Sequence, residues 1–127
     1  MSRTILAVVD DMFFVSKIRA TAEALAVEIS FPRTNEALLI KVAEKTPDLI
    51  VVDLHNQKFD PFELARELKA KEELSGVPLL GFFSHVNLDL QRAALEAGYD
   101  EVIPRSVFSR DLARTLKGQE GFMSDML

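Results

Sequence analysis

Three carboxylates stand directly after strand-like segments of the sequence, where they could act together on one ligand. Asp10 and Asp11 follow the apolar segment 5–9, and Asp53 follows the apolar segment 49–52. Short runs rich in β-branched residues are typical of strands buried on both faces of a parallel sheet. Ligands of such sheets bind outside the carboxyl ends of the strands, which is where we expect the three side chains.

Carboxylates gathered in this way must take up a proton or bind a cation. Two like charges about 4 Å apart repel by roughly 4 kcal/mol at an effective dielectric constant of 20. Mg²⁺ suits such a site, because it accepts one or two carboxylates and keeps water molecules and a phosphate oxygen of the substrate. A carboxylate beside the ion can attack an incoming phosphoryl group, since the metal neutralises charge on the transferring oxygens. The product of that chemistry is an aspartyl phosphate.

Strand-like and helix-like segments alternate along the chain, which predicts an α/β fold with a five-stranded parallel sheet. Three segments are nearly continuously apolar (5–9, 49–53 and 77–83), whereas 27–31 and 101–103 have the pattern of edge strands. The predicted strand order is therefore 2-1-3-4-5. This is a flavodoxin-like, doubly wound three-layer sandwich with its switch point between strands 1 and 3.

Helices are predicted between the strands from apolar residues at helical spacing. Thr34 or Asn35 can cap the second helix and Asn87 the fourth, while Gly98 stands where a left-handed C-cap is expected. One final helix is expected to carry the last three members of the inward-facing set. That set is Phe14, Ile18, Ala22, Leu25, Leu38, Val42, Leu64, Ala65, Leu68, Leu90, Ala93, Ala94, Ala97, Phe108, Leu112 and Leu116.

Composition limits the classes of function. With 127 residues the chain has the size of one domain, which we expect to span 1–118 with a short tail at 119–127. The absence of cysteine excludes disulfides and cysteine zinc sites. A net charge of −5 with scattered basic residues argues against direct nucleic-acid binding. No apolar run approaches the roughly 18 residues of a membrane span, and no signal peptide is recognised, so a cytoplasmic location is predicted.

The order of these parts resembles the receiver domain of bacterial two-component response regulators over residues 4–117. The likeness is carried by the acidic pair after strand 1, by Asp53 at the end of strand 3, by Ser84 after strand 4, and by a basic residue, Arg105, after strand 5. It implies that Asp53 is the phosphoacceptor, that Ser84 hydrogen-bonds the phosphoryl group and that Arg105 pairs with it.

The same resemblance implies a Mg²⁺ site. Asp11 and Asp53 would bind the ion directly together with the backbone carbonyl of His55, and Asp10 would act through water. The implied partners are a sensor histidine kinase or phosphotransfer protein and an unknown downstream protein. No enzymatic activity is expected beyond Mg²⁺-dependent self-phosphorylation and self-dephosphorylation at Asp53.

The sequence departs from the family at several positions. Arg105 replaces the usual lysine, and a planar guanidinium differs from a compact ammonium in ion-pair geometry. Val102 stands where the family has the aromatic residue whose rotation reports activation. The remaining departures are Gln57, Pro61, His85 and Ser106. They favour an alternative, a degenerate receiver that binds a partner without being phosphorylated.

Each singled-out side chain also has an ordinary structural explanation. Asp10 or Asp11 can merely cap the first helix, Asp53 can be a loop acid, Ser84 a turn residue and Arg105 a solvated cation. Flavin or nucleotide binding is disfavoured, because carboxylates after strand 1 would repel a phosphate.

Overall fold

A computed structural model describes residues 3–85 and 87–118. Its five strands form one parallel sheet in the order β2-β1-β3-β4-β5, which confirms the predicted topology. The strands are β1 (Thr4–Val8), β2 (Glu28–Ser30), β3 (Leu49–Asp53), β4 (Leu79–Phe83) and β5 (Glu101–Pro104). The helices are α1 (Met12–Ala24), α2 (Asn35–Glu44), α3 (Pro61–Ala70), α4 (Leu88–Ala97), α5 (Arg105–Arg110) and α6 (Leu112–Lys117).

Polar side chains fix where four of the helices begin. Asp11, Thr34, Asp60 and Asn87 each accept backbone N–H groups from the first turn of the helix that follows. Thr34 rather than Asn35 is therefore the cap of α2. At the other end of α4, Gly98 has a positive φ of 128°, a conformation that favours glycine.

The sheet separates two hydrophobic layers. One layer packs α2, α3 and α4 against strand residues such as Leu6 and Val52. The other packs α1, α5 and α6 against residues such as Ile5 and Val51, which point to the opposite face of the sheet. Three aromatic rings of this second layer lie close to the carboxyl end of β4, and they are Phe14, Phe82 and Phe108.

A buried tyrosine links the turn after α4 to the start of α3. Tyr99 is 3% exposed and its hydroxyl donates a hydrogen bond to the carbonyl of Pro61 at 2.8 Å. Burial raises the pKa of Tyr99 well above its usual value. The ring lies against Gly81, where an added Cβ would be only 3.0–3.2 Å from Leu54 and Tyr99. Any larger residue at that point of β4 would require these two side chains to shift by a few tenths of an ångström.

Two features of the helices differ from the prediction. The final helix is divided into α5 and α6 at Asp111, whose φ of −102° and ψ of 20° depart from helical values. Asp111 pairs through both carboxylate oxygens with the preceding Arg110. Aspartate is also unfavourable in a helix interior, because its side chain tends to form hydrogen bonds with nearby backbone groups. In α4, Ala93 is exposed, so the buried stripe there is narrower than expected.

The remaining parts of this prediction are confirmed or concern residues that the structure does not describe. Phe108, Leu112 and Leu116 are buried in spite of the break at Asp111. None of the described helices is both long enough and apolar enough to cross a membrane. The predicted tail at 119–127 lies outside the described residues.

Candidate functional site

Asp53 is a buried carboxylate at the end of a central strand. It is the last residue of β3 and is only 7% exposed, and its Oδ1 accepts the backbone N–H of His55 at 2.9 Å. Burial raises the pKa of the Asp53 carboxyl above its usual value, although the His55 amide and the charge of Arg105 act in the opposite direction. Asp53 is thus a negative group that the fold keeps from water and compensates only in part.

Asp11 lies in a very different environment. Its Oδ1 accepts the backbone N–H groups of Phe13 at 3.0 Å and Phe14 at 3.2 Å, which makes it the N-cap of α1. Its Oδ2 accepts a hydrogen bond from Nη2 of Arg105 at 3.0 Å. The Arg105 hydrogen bond and then the helix amides lower the pKa of the Asp11 carboxyl. Both oxygens of Asp11 are therefore engaged by the protein itself.

Arg105, the first residue of α5, lies between Asp11 and an aromatic cluster. Its guanidinium carbon is 4.2 Å from the centroid of the Phe14 ring, a cation–π contact. Phe14 meets Phe82 and Phe108 edge to face at centroid distances of 5.4 and 5.7 Å. Phe82 and Phe108 stack at 5.0 Å. Arg105 thus contacts both Asp11 and the Phe14 ring, while its side chain stays 33% exposed.

Asp10 is exposed and lies close enough to Asp53 for its charge to raise the pKa of that carboxyl. It also lines a cavity of about 380 Å³ between α1 and the loop that follows β3. The acidic pair and Asp53 therefore act on the same edge of the sheet, as the topology predicts. In contrast with Asp11, the cap of α1, Asp10 faces solvent.

Asn56 is a site residue that sequence reasoning missed. It is 7% exposed; its Nδ2 donates to the carbonyl of Val8 at 3.5 Å and its Oδ1 accepts the N–H of Lys58 at 2.8 Å. The first bond joins the loop after Asp53 to the end of β1, and the second lies within the loop. An asparagine close to the Asp60-Pro61 turn is a signal for local side-chain-to-backbone bonding. Its contact with β1 has no such local signal.

Two further residues follow β4. Ser84 and His85 are both exposed, and the His85 ring lies 6.3 Å from the ring of His55. The structure therefore places His85 beside the loop after Asp53. Val102, at the position of the family's aromatic residue, is a buried aliphatic side chain in β5.

The oxygen atoms at this site are of the type that Mg²⁺ binds. Carboxylate and carbonyl oxygens are the ligands this ion prefers, and Asp53 and Asp10 can supply them. In the part of the chain that the structure describes, no three acidic or histidine side chains are placed to hold a metal together. The predicted set needs only two direct carboxylates, and one of them, Asp11, already accepts a hydrogen bond from Arg105 on Oδ2.

Comparisons with known proteins give one matching sequence and many matching structures. No family model matches the chain. A gliding motility regulatory protein of Myxococcus xanthus is 32% identical over 81 residues, which are 64% of this chain and 10% of that protein. The matched region thus spans about a tenth of the length of this curated relative.

Solved structures of response regulators superpose over nearly the whole chain. A putative response regulator of Chloroflexus aurantiacus has a TM-score of 0.80 at 18% identity, covering 93% of this chain and 97% of that one. A phosphorylated cyanobacterial phytochrome response regulator has a TM-score of 0.78 at 20% identity, covering 100% and 97%. The receiver domain of a sensor histidine kinase of Pseudomonas aeruginosa, described with a magnesium ion in its active-site cleft, has a TM-score of 0.77 at 20% identity, covering 92% and 96%.

The chain has the receiver fold. TM-scores of 0.77 to 0.80 establish the architecture, but at identities of 18–20% the chemistry must be argued from the residues at the site. Within the receiver fold, Asp53 ends the third strand, as the resemblance implied, and Arg105 follows the fifth. The contact between Arg105 and Asp11, across 94 positions of sequence, is a property of this chain that the resemblance did not imply.

Proposed function

We propose that this chain is a response-regulator receiver module that accepts a phosphoryl group on Asp53. The donor would be a phosphohistidine of a sensor histidine kinase or phosphotransfer protein. The observation that carries the proposal is the partly compensated, buried Asp53 at the carboxyl end of β3, with Asp10 and Asp11 after the neighbouring strand β1. The phosphorylated response regulator and the magnesium-bound receiver domain that share the fold give it further support.

The transfer is a displacement at phosphorus. A carboxylate oxygen of Asp53 forms the new P–O bond while the P–N bond to the donor imidazole breaks. The electron pair of the broken bond stays on the imidazole nitrogen, which takes up a proton. Oδ1 of Asp53 is oriented by the His55 amide, and no described residue donates a hydrogen bond to Oδ2, which leaves that oxygen as the nucleophile.

The residues that would hold Mg²⁺ are Asp11, Asp53 and the backbone carbonyl of His55, with Asp10 acting through water. The ion would neutralise negative charge on the transferring phosphoryl oxygens. Ser84 would donate a hydrogen bond to the phosphoryl group, and Arg105 would supply positive charge to it. These roles rest on the position of each residue at the edge of the receiver fold.

The Arg105–Asp11 bridge would oppose this function if it were permanent. The two side chains are 33% and 38% exposed, so water competes for both partners. Ion pairs this accessible contribute little to stability and open readily. The bridge therefore leaves phosphoacceptance possible, with Arg105 moving off Asp11 when the site is occupied.

An exposed apolar pair beside the acids offers a contact for a protein partner. Met12 is 64% exposed and Phe13 is 91% exposed, both in the first turn of α1 directly after Asp11. Burying such side chains is favourable in an interface, where aromatic residues are enriched. We propose that the module works in the cytoplasm and signals by docking to partners, with the phosphodonor covering this pair.

The deciding experiment combines Mg²⁺ with beryllofluoride, a mimic of the phosphoryl group, and records backbone amide shifts. We expect shifts at the carboxyl ends of β1, β3 and β4 in the wild type and none in Asp53→Asn. The matched control is Asp48→Asn, since Asp48 lies just before the opposite end of β3 and accepts the N–H of Thr4. That variant should respond as the wild type does.

Two results would contradict the proposal. A response that persists in Asp53→Asn would move the phosphoacceptor elsewhere. A wild type that stays unchanged at millimolar Mg²⁺ with beryllofluoride would favour the degenerate interaction module, whose surface needs no phosphorylation.

A further inference from the structure

Arg105 occupies a place where two separate attractions converge on one guanidinium group. Nη2 donates to Oδ2 of Asp11 at 3.0 Å, and the guanidinium carbon lies 4.2 Å from the centroid of the Phe14 ring. Asp11 is the cap of α1 and Phe14 belongs to its first turn, so both contacts are made to one rigid segment. The cation is therefore docked on the start of α1.

The same carboxylate oxygen is the one that a metal ion would need. Oδ1 of Asp11 already accepts two backbone N–H groups of α1, at 3.0 and 3.2 Å. Oδ2 is the oxygen with acceptor positions left for a cation from outside the helix, and Arg105 already donates to it. A divalent ion beside Asp11 would also repel the guanidinium, since like charges at this range disfavour one another.

We propose that Arg105 is an internal counter-ion that takes the place of Mg²⁺ at Asp11, so that metal binding and the Arg105–Asp11 pair exclude each other. This inference rests on the proposed function, because it assigns a regulatory role within the same site. It means that the arginine of this chain weakens metal binding in the resting protein and is set free when the ion arrives.

The release of Arg105 has a structural consequence for α5. Arg105 is the first residue of that helix, and Phe108, one turn later, is fully buried against Phe14 and Phe82. Lys17 of α1 also contacts Ser109 of α5. Loss of the Arg105 contacts therefore changes the attachment of the first turn of α5 to α1. In a chain with Val102 at the usual aromatic position, α5 is the element placed to report the state of the site.

The test is a Mg²⁺ titration of the full chain without any phosphodonor, followed by backbone amide shifts. Arg105→Met keeps a long apolar side chain and removes the charge. We expect it to bind Mg²⁺ about three- to tenfold more tightly than the wild type, the range set by one accessible ion pair and one cation–π contact. Arg105→Lys should tighten binding less, since lysine keeps the charge without the planar fork.

The matched control is Arg110→Met. Arg110 belongs to the same helix and also pairs with an aspartate, but its partner is the adjacent Asp111. Its Mg²⁺ affinity should equal that of the wild type. In the wild type the amides of residues 105–108 should shift with Mg²⁺, and these shifts should shrink in Arg105→Met, whose side chain makes no ion pair to lose.

The outcomes separate this inference from the proposed function. Equal Mg²⁺ affinity in the wild type and Arg105→Met overturns the counter-ion role and leaves the phosphoacceptor site intact. Weaker binding in Arg105→Met shows that Arg105 assists the metal, which also overturns the inference. If neither protein binds Mg²⁺ while both keep a folded amide spectrum, the proposed function fails and the counter-ion role fails with it.

Discussion

Asp53 and Asp11 follow neighbouring strands of one sheet, yet the protein surrounds them in opposite ways. Asp53 is buried, and burial raises the pKa of its carboxyl although one backbone amide donates to it. Asp11 is partly exposed and is met by two helix amides and a guanidinium, so its pKa is lowered. An aspartate side chain thus stabilises the fold at position 11 and destabilises it at position 53.

The contrast separates two roles for a carboxylate. A helix cap with a paired cation has a structural role, because its negative charge is already balanced by the helix amides and the cation. A buried carboxylate with few partners is costly to the fold, and such groups are found where reactivity is needed. The surroundings of the two acids therefore identify Asp53 as the better candidate nucleophile, a conclusion that residue type alone does not give.

The largest expected effect comes from removing the ring that supports the Asp11 side of the site. Phe14→Ala should lower the free energy of unfolding by about 3–4 kcal/mol, because it opens a cavity beside the stacked rings of Phe82 and Phe108. Denaturant unfolding measures this loss. The neighbouring Phe13→Ala is the control, since Phe13 is 91% exposed and should change stability little. Equal losses in both variants would show that Phe14 is not the packed ring described here.

Asp11 should show a smaller effect that divides into cap and charge. Asp11→Ala removes both contributions and is expected to lower Tm by about 4 °C. Asp11→Asn keeps a side-chain oxygen for the helix amides and loses only the charge facing Arg105, so Tm should fall less. Thermal unfolding followed by circular dichroism distinguishes them. If the two variants fall equally, the ion pair and not the cap stabilises this end of α1.

Asp53 should respond in the opposite direction. Asp53→Asn removes a buried charge while keeping shape and an acceptor for the His55 amide, so the free energy of unfolding should rise by on the order of 1 kcal/mol near neutral pH. Denaturant unfolding beside Asp48→Asn, which should bring no gain, tests this. A loss of stability in Asp53→Asn would mean that the charge of Asp53 is better compensated than its neighbours indicate.

The smallest expected effect is the pH dependence of the stability gained in Asp53→Asn. The folded-state pKa of Asp53 lies above its usual value of 3.8, so the folded protein holds the proton more strongly than the unfolded chain. Stability then falls as pH rises from 3.8 through the folded-state pKa, and the cost is fully present above it. The advantage of Asp53→Asn should grow over that interval and vanish below pH 3.8. A constant difference at all pH values would remove burial as its cause.

The fold could be predicted because its signals are local and repeated. Continuous apolar segments identified the three central strands, and β3 spans Leu49–Asp53 as expected. The cap of α4 at Asn87 was also predicted, and the cap of α2 was narrowed to Thr34 or Asn35, of which the structure has Thr34. The break at Asp111 was missed, because apolar spacing continues across it and the Arg110–Asp111 pair has no signature in periodicity.

The part of the site that could be predicted is the part that follows from the strand order. Strand order places Asp53 and the acidic pair at one edge, whereas it says nothing about which partner each side chain selects. Arg105 was expected to await a phosphoryl group, and the structure pairs it with Asp11 and Phe14 instead. The partner of Arg105 depends on which acceptor oxygen atoms lie within a few ångströms of it. The spacing of residues along the sequence does not contain that information.

The hydroxyl of Tyr99 gives the loop after Asp53 a second fixed end. Residues 54–60 run from the end of β3 to Pro61, whose carbonyl that hydroxyl holds at 2.8 Å, and Asn56 binds β1 along the way. A loop anchored at both ends and in its middle has little slack to absorb a displacement. The loop that begins at Asp53 is therefore joined through Tyr99 to the turn between α4 and β5, as well as through Asn56 to β1.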